Sequence, residues 1–204
     1  MNQHYYTPRP DTPHDIRTHR VRVRGLDLCF RTDSGVFSKG GLDEGTRILI
    51  ENLPPLTGRV LDMGCGWGGL GIPMALLNPQ ASFLLTDINE RAAGLARENA
   101  KANGAGNVQV VTGDGFAAME GFFQYILSNP PIRAGKAFLY PLFEEALKRL
   151  EPGGSLFLVI RKQQGADSAL KFLSGLSEAR YIAKKKGYRI LRCDPLQGEE
   201  GQTP

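Results

Sequence analysis

Four polar residues stand where a pocket for a small charged molecule could be built. Asp62, Asp87, Asp114 and Asn129 each follow an apolar run, so each is expected at the carboxyl end of a strand. In an open α/β sheet, ligands bind along that edge. One acidic residue there is common, because Asp also favours turns and helix caps. Four in succession predict a polar binding site.

The first of these residues opens the glycine-rich stretch LDMGCGWGGLG. Gly64, Gly66 and Gly68 stand at alternate positions, where a backbone without side chains can turn sharply and approach a ligand. The next helix would present its N-terminal N–H groups there. Through Gly64, Gly66 and Gly69 the stretch also fits G-x-G-x-x-G. A dinucleotide site therefore stays open on this motif alone.

The carboxylates favour a cationic cofactor over a dinucleotide. Asp87 could accept hydrogen bonds from the ribose of any adenosine-containing cofactor, so it does not discriminate. Asp62, two residues before the first glycine, would repel a pyrophosphate and attract a cation. S-adenosylmethionine carries an ammonium and a sulfonium but no phosphate. With that cofactor, Asp114 is placed to take the exocyclic amine of adenine, and Gly115 lets the ring lie close.

The elements that must position these residues alternate along the chain. Residues 20–33 alternate in side-chain type and predict a β-hairpin, after which Asp43 starts a short helix that ends before Pro54. Apolar strands separated by amphipathic helices then predict a mostly parallel sheet covered on both faces. Its fifth strand is expected to begin at Ser155, after a turn at residues 152–154. The last two strands, joined by a short Lys-rich turn, should be antiparallel.

The composition indicates one domain with a small extension. The chain has 204 residues, of which 41% are hydrophobic. No apolar run approaches the ~20 residues that span a bilayer, and the N-terminus lacks the apolar core of a signal peptide. A cytoplasmic protein with no membrane contact is expected. The three isolated cysteines and the three N-terminal histidines predict neither a disulfide framework nor a metal site.

The charge is unevenly distributed. Residues 62–130 carry a net charge of −3, whereas residues 131–192 carry +8. A solvated Lys/Arg surface explains such a segment as well as a phosphate-binding face does. Charge alone does not separate the two.

The motifs taken together resemble a known family. DMGCGWG, LLTDIN, TGDG and SNPP occur in the order and spacing of class I S-adenosylmethionine-dependent methyltransferases. SNPP resembles the motif of those that methylate exocyclic amines of bases or a glutamine side-chain amide. GVFSKGGLDEGTRILIE, SNPPIRAGK, RKQQGA and KKGYRILRC are similar to the methyltransferase small domain family. Within it, the chain resembles single-domain relatives of the 16S rRNA (guanine-N2) methyltransferases, over about residues 20–193.

The resemblance implies a Rossmann-like α/β fold: a seven-stranded, mostly parallel sheet with an antiparallel last strand, helices on both faces and an N-terminal β-hairpin. Residues 1–57 would form an extension with the hairpin and a capping helix, residues 58–194 the methyltransferase domain, and residues 195–204 a tail. The implied contacts to S-adenosylmethionine come from Asp62, Gly64, Gly66 and Gly68 in the loop, Asp87 and Ile88 at the ribose, Asp114 and Gly115 at the adenine, and Asn129. Phe37, Ser38 and Lys39 lie in a segment resembling one that caps the pocket.

The chemistry of amine methylation explains the residue types in SNPP. An exocyclic amine is a poor nucleophile because its lone pair is delocalised. The side-chain oxygen of Asn129 and the carbonyl of Pro130 can accept its two hydrogens, which turns the lone pair toward the methyl group and stabilises the developing positive charge. Pro130 and Pro131 add rigidity and offer no competing N–H. Asn-Pro also starts turns, so this motif alone is as often structural as functional.

The residues after SNPP bear on the substrate. Many amino methyltransferases have an aromatic residue where this chain has Ile132, which leaves the substrate less defined than the cofactor. Arg133 and Lys136 are candidates for substrate phosphate contacts. The expected partner is RNA, as ribosomal RNA or the small ribosomal subunit, with the protein a monomer or homodimer. Protein glutamine N5-methylation and non-catalytic binding of S-adenosylmethionine or RNA are the alternatives.

Overall fold

The computed structural model describes residues 11–113, 116 and 120–196. A hairpin of β1 (Arg17–Val23) and β2 (Leu26–Thr32) precedes a larger sheet of β3 (Arg59–Met63), β4 (Ser82–Asp87), β5 (Val108–Thr112), β6 (Phe123–Ser128), β7 (Leu150–Arg161), β8 (Ser177–Lys185) and β9 (Tyr188–Pro195). The α-helices in these ranges are α1 (Glu44–Asn52), α2 (Gly71–Leu77), α3 (Glu90–Ala102), α4 (Lys136–Lys148) and α5 (Ala166–Leu173). Short 3₁₀ turns occupy Ile132–Ala134 and Lys162–Gln164.

The larger sheet has seven strands in the order β5-β4-β3-β6-β7-β9-β8. Strands β3 to β7 run parallel to one another, whereas β9 runs antiparallel to both β7 and β8. The predicted sheet with its reversed last strand is confirmed. After β5 the chain returns to the other side of β3 to form β6. The crevice at the carboxyl ends of β3 and β6 is therefore the switch point where ligands bind in such sheets.

The start of the fifth strand was predicted wrongly. β7 begins at Leu150, which pairs with Phe123, and the next paired residue after it is Ser155, opposite Tyr125. The residues between form an irregularity in the strand instead of the turn expected from Pro152, Gly153 and Gly154. A bulge accommodates extra residues on one strand while pairing continues on either side.

Two capping residues fix helices that begin at the ligand edge. Asp43 caps α1 by accepting hydrogen bonds from the N–H groups of Gly45 and Thr46. Asn89 caps α3 by accepting from Arg91 and Ala92 at 3.0 and 3.1 Å. Both residues are of the types that satisfy free N–H groups at a helix start. The first residues of both helices are thereby held beside the crevice.

The hairpin is attached to α3 through two asparagines. Asn103 accepts from the N–H of Cys29 at 2.9 Å and donates to its carbonyl at 2.8 Å. Asn99 does the same for Arg31, at 2.8 and 2.9 Å, and also donates to the carbonyl of Trp67 at 2.8 Å. The outer edge of β2 is therefore bonded by side-chain amides.

The core lies on both faces of the sheet. On one face the hairpin residue Phe30 and the α1 residue Leu49 pack in the same cluster as Leu85 of the sheet. On the other face Phe143 of α4 and Leu173 of α5 are fully buried. The hairpin and α1 thus share a core with the sheet, and the division at residue 57 stays a prediction. Over the described ranges, no helix is both long and apolar enough to cross a membrane.

Candidate active site

A cavity of about 570 Å³ opens at the carboxyl ends of β3, β4 and β6. It brings together most residues that the sequence singled out: Phe37, Ser38, Gly64, Gly66, Asp87, Ile88, Asn129, Pro130, Pro131, Ile132 and Arg133. Asp62, Gly68 and Lys136 do not line it. Asp114 and Gly115 lie outside the described residues, although Gly113, just before them, is at the cavity wall.

The glycine loop leaves its backbone open to the cavity. Gly64 and Gly66 have φ angles of +71° and +57°, in the left-handed region that favours glycine. A Cβ at either position would meet no atom within 4 Å. The carbonyl of Thr86 holds the loop by accepting from the N–H groups of Gly64 and Cys65, both at 2.9 Å. The open space beside these two glycines can admit a ligand against the backbone.

Gly68 serves packing instead. A Cβ there would lie 2.4 Å from Cδ1 of Ile72, in the first turn of α2. Its φ of +89° also disfavours any side chain. The glycine therefore lets the loop turn closely over the start of α2, without lining the large cavity.

Asp62 lies behind the loop and not in the large cavity. Its side chain is almost fully buried, and Oδ2 accepts from the N–H of Gly71 at 2.8 Å. It borders a small hollow of about 30 Å³ next to Gly64 and Gly66. Burial, with a smaller contribution from the charge of Asp87, raises the pKa of Asp62 to about 7, against the hydrogen bond from Gly71. This carboxyl is therefore near its ionisation point at neutral pH.

Asp87 faces both the loop and the cavity. Oδ1 accepts from the N–H of Asn89 at 2.9 Å, and Oδ2 accepts from the N–H of Gly66 at 2.8 Å. Burial raises its pKa, and these two hydrogen bonds oppose the rise. Each oxygen of a carboxylate has a second acceptor position. Asp87 can therefore accept further hydrogen bonds from a ligand with hydroxyl groups.

These residues fit an adenosine-bearing cation. The wall of the cavity combines backbone free of side chains at Gly64 and Gly66 with the acceptor Asp87. Thr86, at the same wall, is 2% exposed, and its Oγ1 has no hydrogen-bond partner in the described part of the chain. A buried hydroxyl without a partner is costly, which indicates that a bound group completes this site.

Asn129 is held in one orientation by α1. Its Nδ2 donates to Oδ2 of Asp43 at 3.1 Å and to Oγ1 of Thr46 at 2.9 Å. A carboxylate only accepts hydrogen bonds, so the nitrogen and not the oxygen of the amide must face Asp43. Oδ1 has no hydrogen-bond partner among the described residues and belongs to a residue that lines the cavity. The sequence predicted Asp43 at the start of a helix but not this contact with Asn129.

The SNPP backbone offers one further acceptor. The carbonyl of Pro130 accepts the N–H of Ile132 at 2.9 Å, which occupies one of its two lone pairs and leaves the other. Ser128 holds the preceding strand end by donating to the carbonyl of Met63 at 2.8 Å. Asn129 and Pro130, consecutive in the chain, thus each keep an oxygen with acceptor capacity, just after a strand end that Ser128 holds to β3.

The segment between β2 and α1 caps the cavity. Nε1 of Trp67 donates to the carbonyl of Phe37 at 3.1 Å, and Nδ2 of Asn89 donates to the carbonyl of Gly35 at 2.9 Å. Lys39 contributes its carbonyl, which accepts from His19 at 3.0 Å. Phe37 lines the cavity with its side chain 53% exposed. Phe37 and Ser38 thus lie at the cavity wall, and their role in covering a bound ligand stays a prediction.

The cavity wall also contains residues that the sequence reasoning missed. Phe138, Arg161, Gln164 and Tyr188 line it together with Ile132 and Arg133. Phe138, in the first turn of α4, is 47% exposed. The guanidinium of Arg161 lies 4.9 Å from the centre of the Tyr188 ring. An available signal was the RKQQGA stretch, which the family resemblance included without assigning a role to Arg161.

Ion pairs take up part of the basic segment. Lys185 and Lys186 reach Glu51 and Glu44 of α1 at 2.9 and 2.7 Å. Arg180 and Arg192 both pair with Asp194 at 2.8 Å. These contacts support the surface interpretation for those four residues. Arg133 and Arg161 are the cationic side chains that line the cavity in the described ranges.

Comparison with known sequences gives one family. The chain matches the methyltransferase small domain family over residues 27–192. It is 41% identical to YbxB of Bacillus subtilis, a protein described as uncharacterized, over 198 residues that make up 95% of this chain and 98% of that protein. It is 36% identical to the ribosomal RNA small subunit methyltransferase C of Vibrio cholerae over 168 residues, 80% of this chain but 47% of that enzyme.

Comparison of structures agrees. The fold is similar to that of the T. thermophilus 16S rRNA N2 methyltransferase RsmC, solved in complex with AdoMet and guanosine, with a TM-score of 0.79 and 26% sequence identity. The match covers 92% of this chain and 52% of that one. The chain thus spans about half the length of the ribosomal RNA methyltransferases named here.

Proposed function

The chain belongs to the methyltransferase small domain family and uses S-adenosylmethionine, and on that premise we propose that it methylates an exocyclic amine of RNA, guanine N2 of small-subunit ribosomal RNA. The observation that carries the proposal is the orientation of Asn129. Its amide nitrogen is bonded to Asp43 and Thr46, so its oxygen remains for an amine in the cavity.

The residues for the cofactor follow from the cavity wall. Gly64 and Gly66 would lie against it, Asp87 would accept from its ribose hydroxyls, and Ile88 would contact the same part. Asp114 and Gly115 stay proposed contacts to the adenine. Asp62, which borders the small hollow behind the loop, would attract the positive charge of the cofactor. When bound, S-adenosylmethionine supplies an activated methyl group on a sulfonium.

The residues for the amine act as acceptors. Oδ1 of Asn129 accepts a hydrogen bond from one N–H of the target amine. The remaining lone pair on the Pro130 carbonyl accepts a hydrogen bond from the other N–H. This turns the nitrogen lone pair out of conjugation, and two fixed dipoles stabilise the positive charge that develops on nitrogen. Pro130 and Pro131 bring no N–H group that would compete for the amine. After transfer the nitrogen releases a proton to water.

A nucleobase suits the aromatic part of the cavity wall. Phe138 and Phe37 keep large exposed aromatic faces at the cavity wall, and every base has a flat face that can stack on them. Phe138 could supply the stacking that Ile132 cannot. Arg133 and Arg161 are placed to contact phosphates beside a base turned out of its helix. Lys136, exposed at the start of α4, stays a proposed outer contact.

The names of the relatives support guanine N2 in ribosomal RNA. The Vibrio cholerae relative is named for the small ribosomal subunit, and the T. thermophilus structure contains guanosine. A ribosomal substrate would place the protein in the cytoplasm.

The test is methyl transfer from labelled S-adenosylmethionine to naked ribosomal RNA, small subunits, large subunits and a protein release factor. We expect label in small-subunit RNA, recovered as N2-methylguanosine after digestion to nucleosides. Asn129→Ala should lower the rate by about 10² or more, by analogy with the loss of one stabilising dipole in other enzymes. Label in the release factor would favour glutamine methylation, and tight cofactor binding without transfer to any acceptor would favour a non-catalytic role.

A further inference from the structure

The N-terminus of α1 and the SNPP motif meet through three side chains. Asn129 is separated by 86 residues from Asp43 and by 83 from Thr46, yet its Nδ2 bonds to both, at 3.1 and 2.9 Å. Oγ1 of Thr46 donates in turn to Oδ2 of Asp43. The hydroxyl hydrogen is therefore used, and a lone pair of the hydroxyl faces Asn129. The three side chains form a closed set in which each donor has an acceptor.

This arrangement leaves no freedom to the amide. Both hydrogens on Nδ2 of Asn129 have acceptors, and a flipped amide would place its oxygen against the carboxylate of Asp43. A flip would therefore replace two attractive contacts by repulsion between acceptors. Oδ1 is the only polar side-chain atom of Asn129 left over. Its direction is set by Asp43 and Thr46, and not by the SNPP backbone alone.

We propose that Asp43, acting with Thr46, is a positioning residue for methyl transfer. It fixes the oxygen of Asn129 toward the amine, and its negative charge polarises the amide so that Oδ1 becomes a stronger acceptor. The same charge adds to the field that stabilises the positive charge developing on the target nitrogen. The proposal rests on the proposed function, because it concerns the same amine.

Helix capping does not by itself require this residue. Asn and Ser cap helices about as well as Asp does, so capping alone does not explain why position 43 is Asp. The start of α1 is also tightly packed: a Cβ on Gly45 would lie 2.7 Å from the Tyr188 ring and 3.1 Å from Oδ1 of Asp43. Tyr188 lines the same cavity. A side chain at position 45 would therefore press on both Tyr188 and Asp43, so the helix start that carries Asp43 requires glycine there.

The decisive variant is Asp43→Asn, measured by single-turnover methyl transfer at saturating cofactor. Asn keeps the cap but presents an NH₂ group to Asn129, which favours the flipped amide. We expect the rate to fall about 10²-fold, with the dissociation constant of S-adenosylmethionine, measured by calorimetry, changed less than threefold. Thr46→Val should lower the rate, and Thr46→Ser should recover most of that loss.

The matched control is Glu44→Gln. Glu44 is next to Asp43 in the first turn of α1, but its carboxylate pairs with Lys186 at the surface. Glu44→Gln removes one negative charge from the same turn, as Asp43→Asn does, but leaves the contacts of Asn129 intact. The transfer rate should therefore stay within twofold of wild type. Asp43→Asn at the wild-type rate would overturn the proposal.

A double-mutant cycle separates positioning from an independent effect. If Asp43 acts through Asn129, Asp43→Asn should have no further effect in an Asn129→Ala background. An equal loss in both backgrounds would contradict the proposal. The side-chain NMR signals of Asn129 add a readout that needs no activity: both Nδ2 protons should shift in Asp43→Asn and not in Glu44→Gln. Wild-type protein without methyl transfer to RNA would instead count against the proposed function.

Discussion

The carboxylate of Asp87 lies 2.8 Å from the backbone nitrogen of Gly66, so a residue at the end of β4 holds the loop that follows β3. Its other oxygen holds Asn89 at 2.9 Å. The residue expected to bind ribose therefore also shapes the backbone against which the cofactor would lie. Loss of its charge should affect both roles.

Asp87→Asn should weaken S-adenosylmethionine binding by about 10²-fold. The amide has one acceptor oxygen in place of two, so either Gly66 or Asn89 loses its partner, and hydrogen bonds involving a charged group contribute about 1.5–3 kcal/mol each. Calorimetric titration at fixed pH measures the change. Asp167→Asn, which alters a carboxylate bonded to the hydroxyl of Tyr181 away from the cavity, is the control and should bind as wild type.

The stability of the protein should fall as pH rises from about 4 to about 7. The pKa of Asp62 is raised by burial to about 7, whereas the unfolded chain ionises this group near 4. Between these values the folded state holds a proton that the unfolded state has lost, so this group lowers the free energy of unfolding by ~1.4 kcal/mol per pH unit. The raised pKa of Asp87 acts in the same direction.

Asp62→Asn should flatten this pH dependence. Urea unfolding of the wild type and the variant at pH 5 and pH 7 measures it. The free energy of unfolding should fall less between these two pH values in the variant than in the wild type. Equal slopes would show that Asp62 does not titrate in this window. In the wild type, cofactor affinity should rise with pH through about 7, because the cation favours the ionised carboxyl; the variant should lose that rise.

Phe138→Ala should raise KM for RNA about tenfold, in the range expected for loss of one stacked base. The affinity for S-adenosylmethionine should not change, since Phe138 belongs to α4, whereas the proposed cofactor contacts come from the loop after β3 and the end of β4. Phe122→Ala is a matched control: Phe122 is 57% exposed but does not line the cavity. An unchanged KM for Phe138→Ala, or an equal change for Phe122→Ala, would contradict the stacking role.

Asn99→Leu should lower the free energy of unfolding by about 3 kcal/mol. Asn99 is 1% exposed, and its loss leaves the N–H and carbonyl of the partly buried Arg31 backbone and the buried carbonyl of Trp67 without their partner. Asn103→Leu should cost less than half as much, because water can replace its exposed bonds to Cys29. Urea melts of both variants test the difference; equal losses would count against burial as the cause.

The sequence was informative where residue type and local backbone act together. Gly64 and Gly66 were recognisable because their positive φ angles demand glycine, and Asp43 because the start of a helix depends on local residue types. The mostly parallel sheet with its antiparallel last strand followed from runs of apolar residues and the family resemblance. These features depend on neighbours a few residues apart along the chain.

The remaining features depend on contacts between distant residues. Nothing beside Asn129 in the sequence indicates that Asp43 and Thr46, more than 80 residues earlier, hold its amide. The location of Asp62 behind the loop depends on its bond to Gly71 and on how deeply β3 is buried. The irregular start of β7 likewise depends on its pairing with β6. The Pro-Gly-Gly sequence by itself had suggested a turn there.

The asparagines of α3 determine where the capping segment begins. Residues four apart on a helix rise about 6 Å, close to the ~7 Å between alternate residues of a strand, so Asn99 and Asn103 can bond Arg31 and Cys29 together. A slip of β2 by one residue would break both pairs and turn its buried side chains outward. Insertions in the hairpin turn would therefore leave the entrance to the cavity unchanged, whereas a single inserted residue between β2 and α1 would alter it directly.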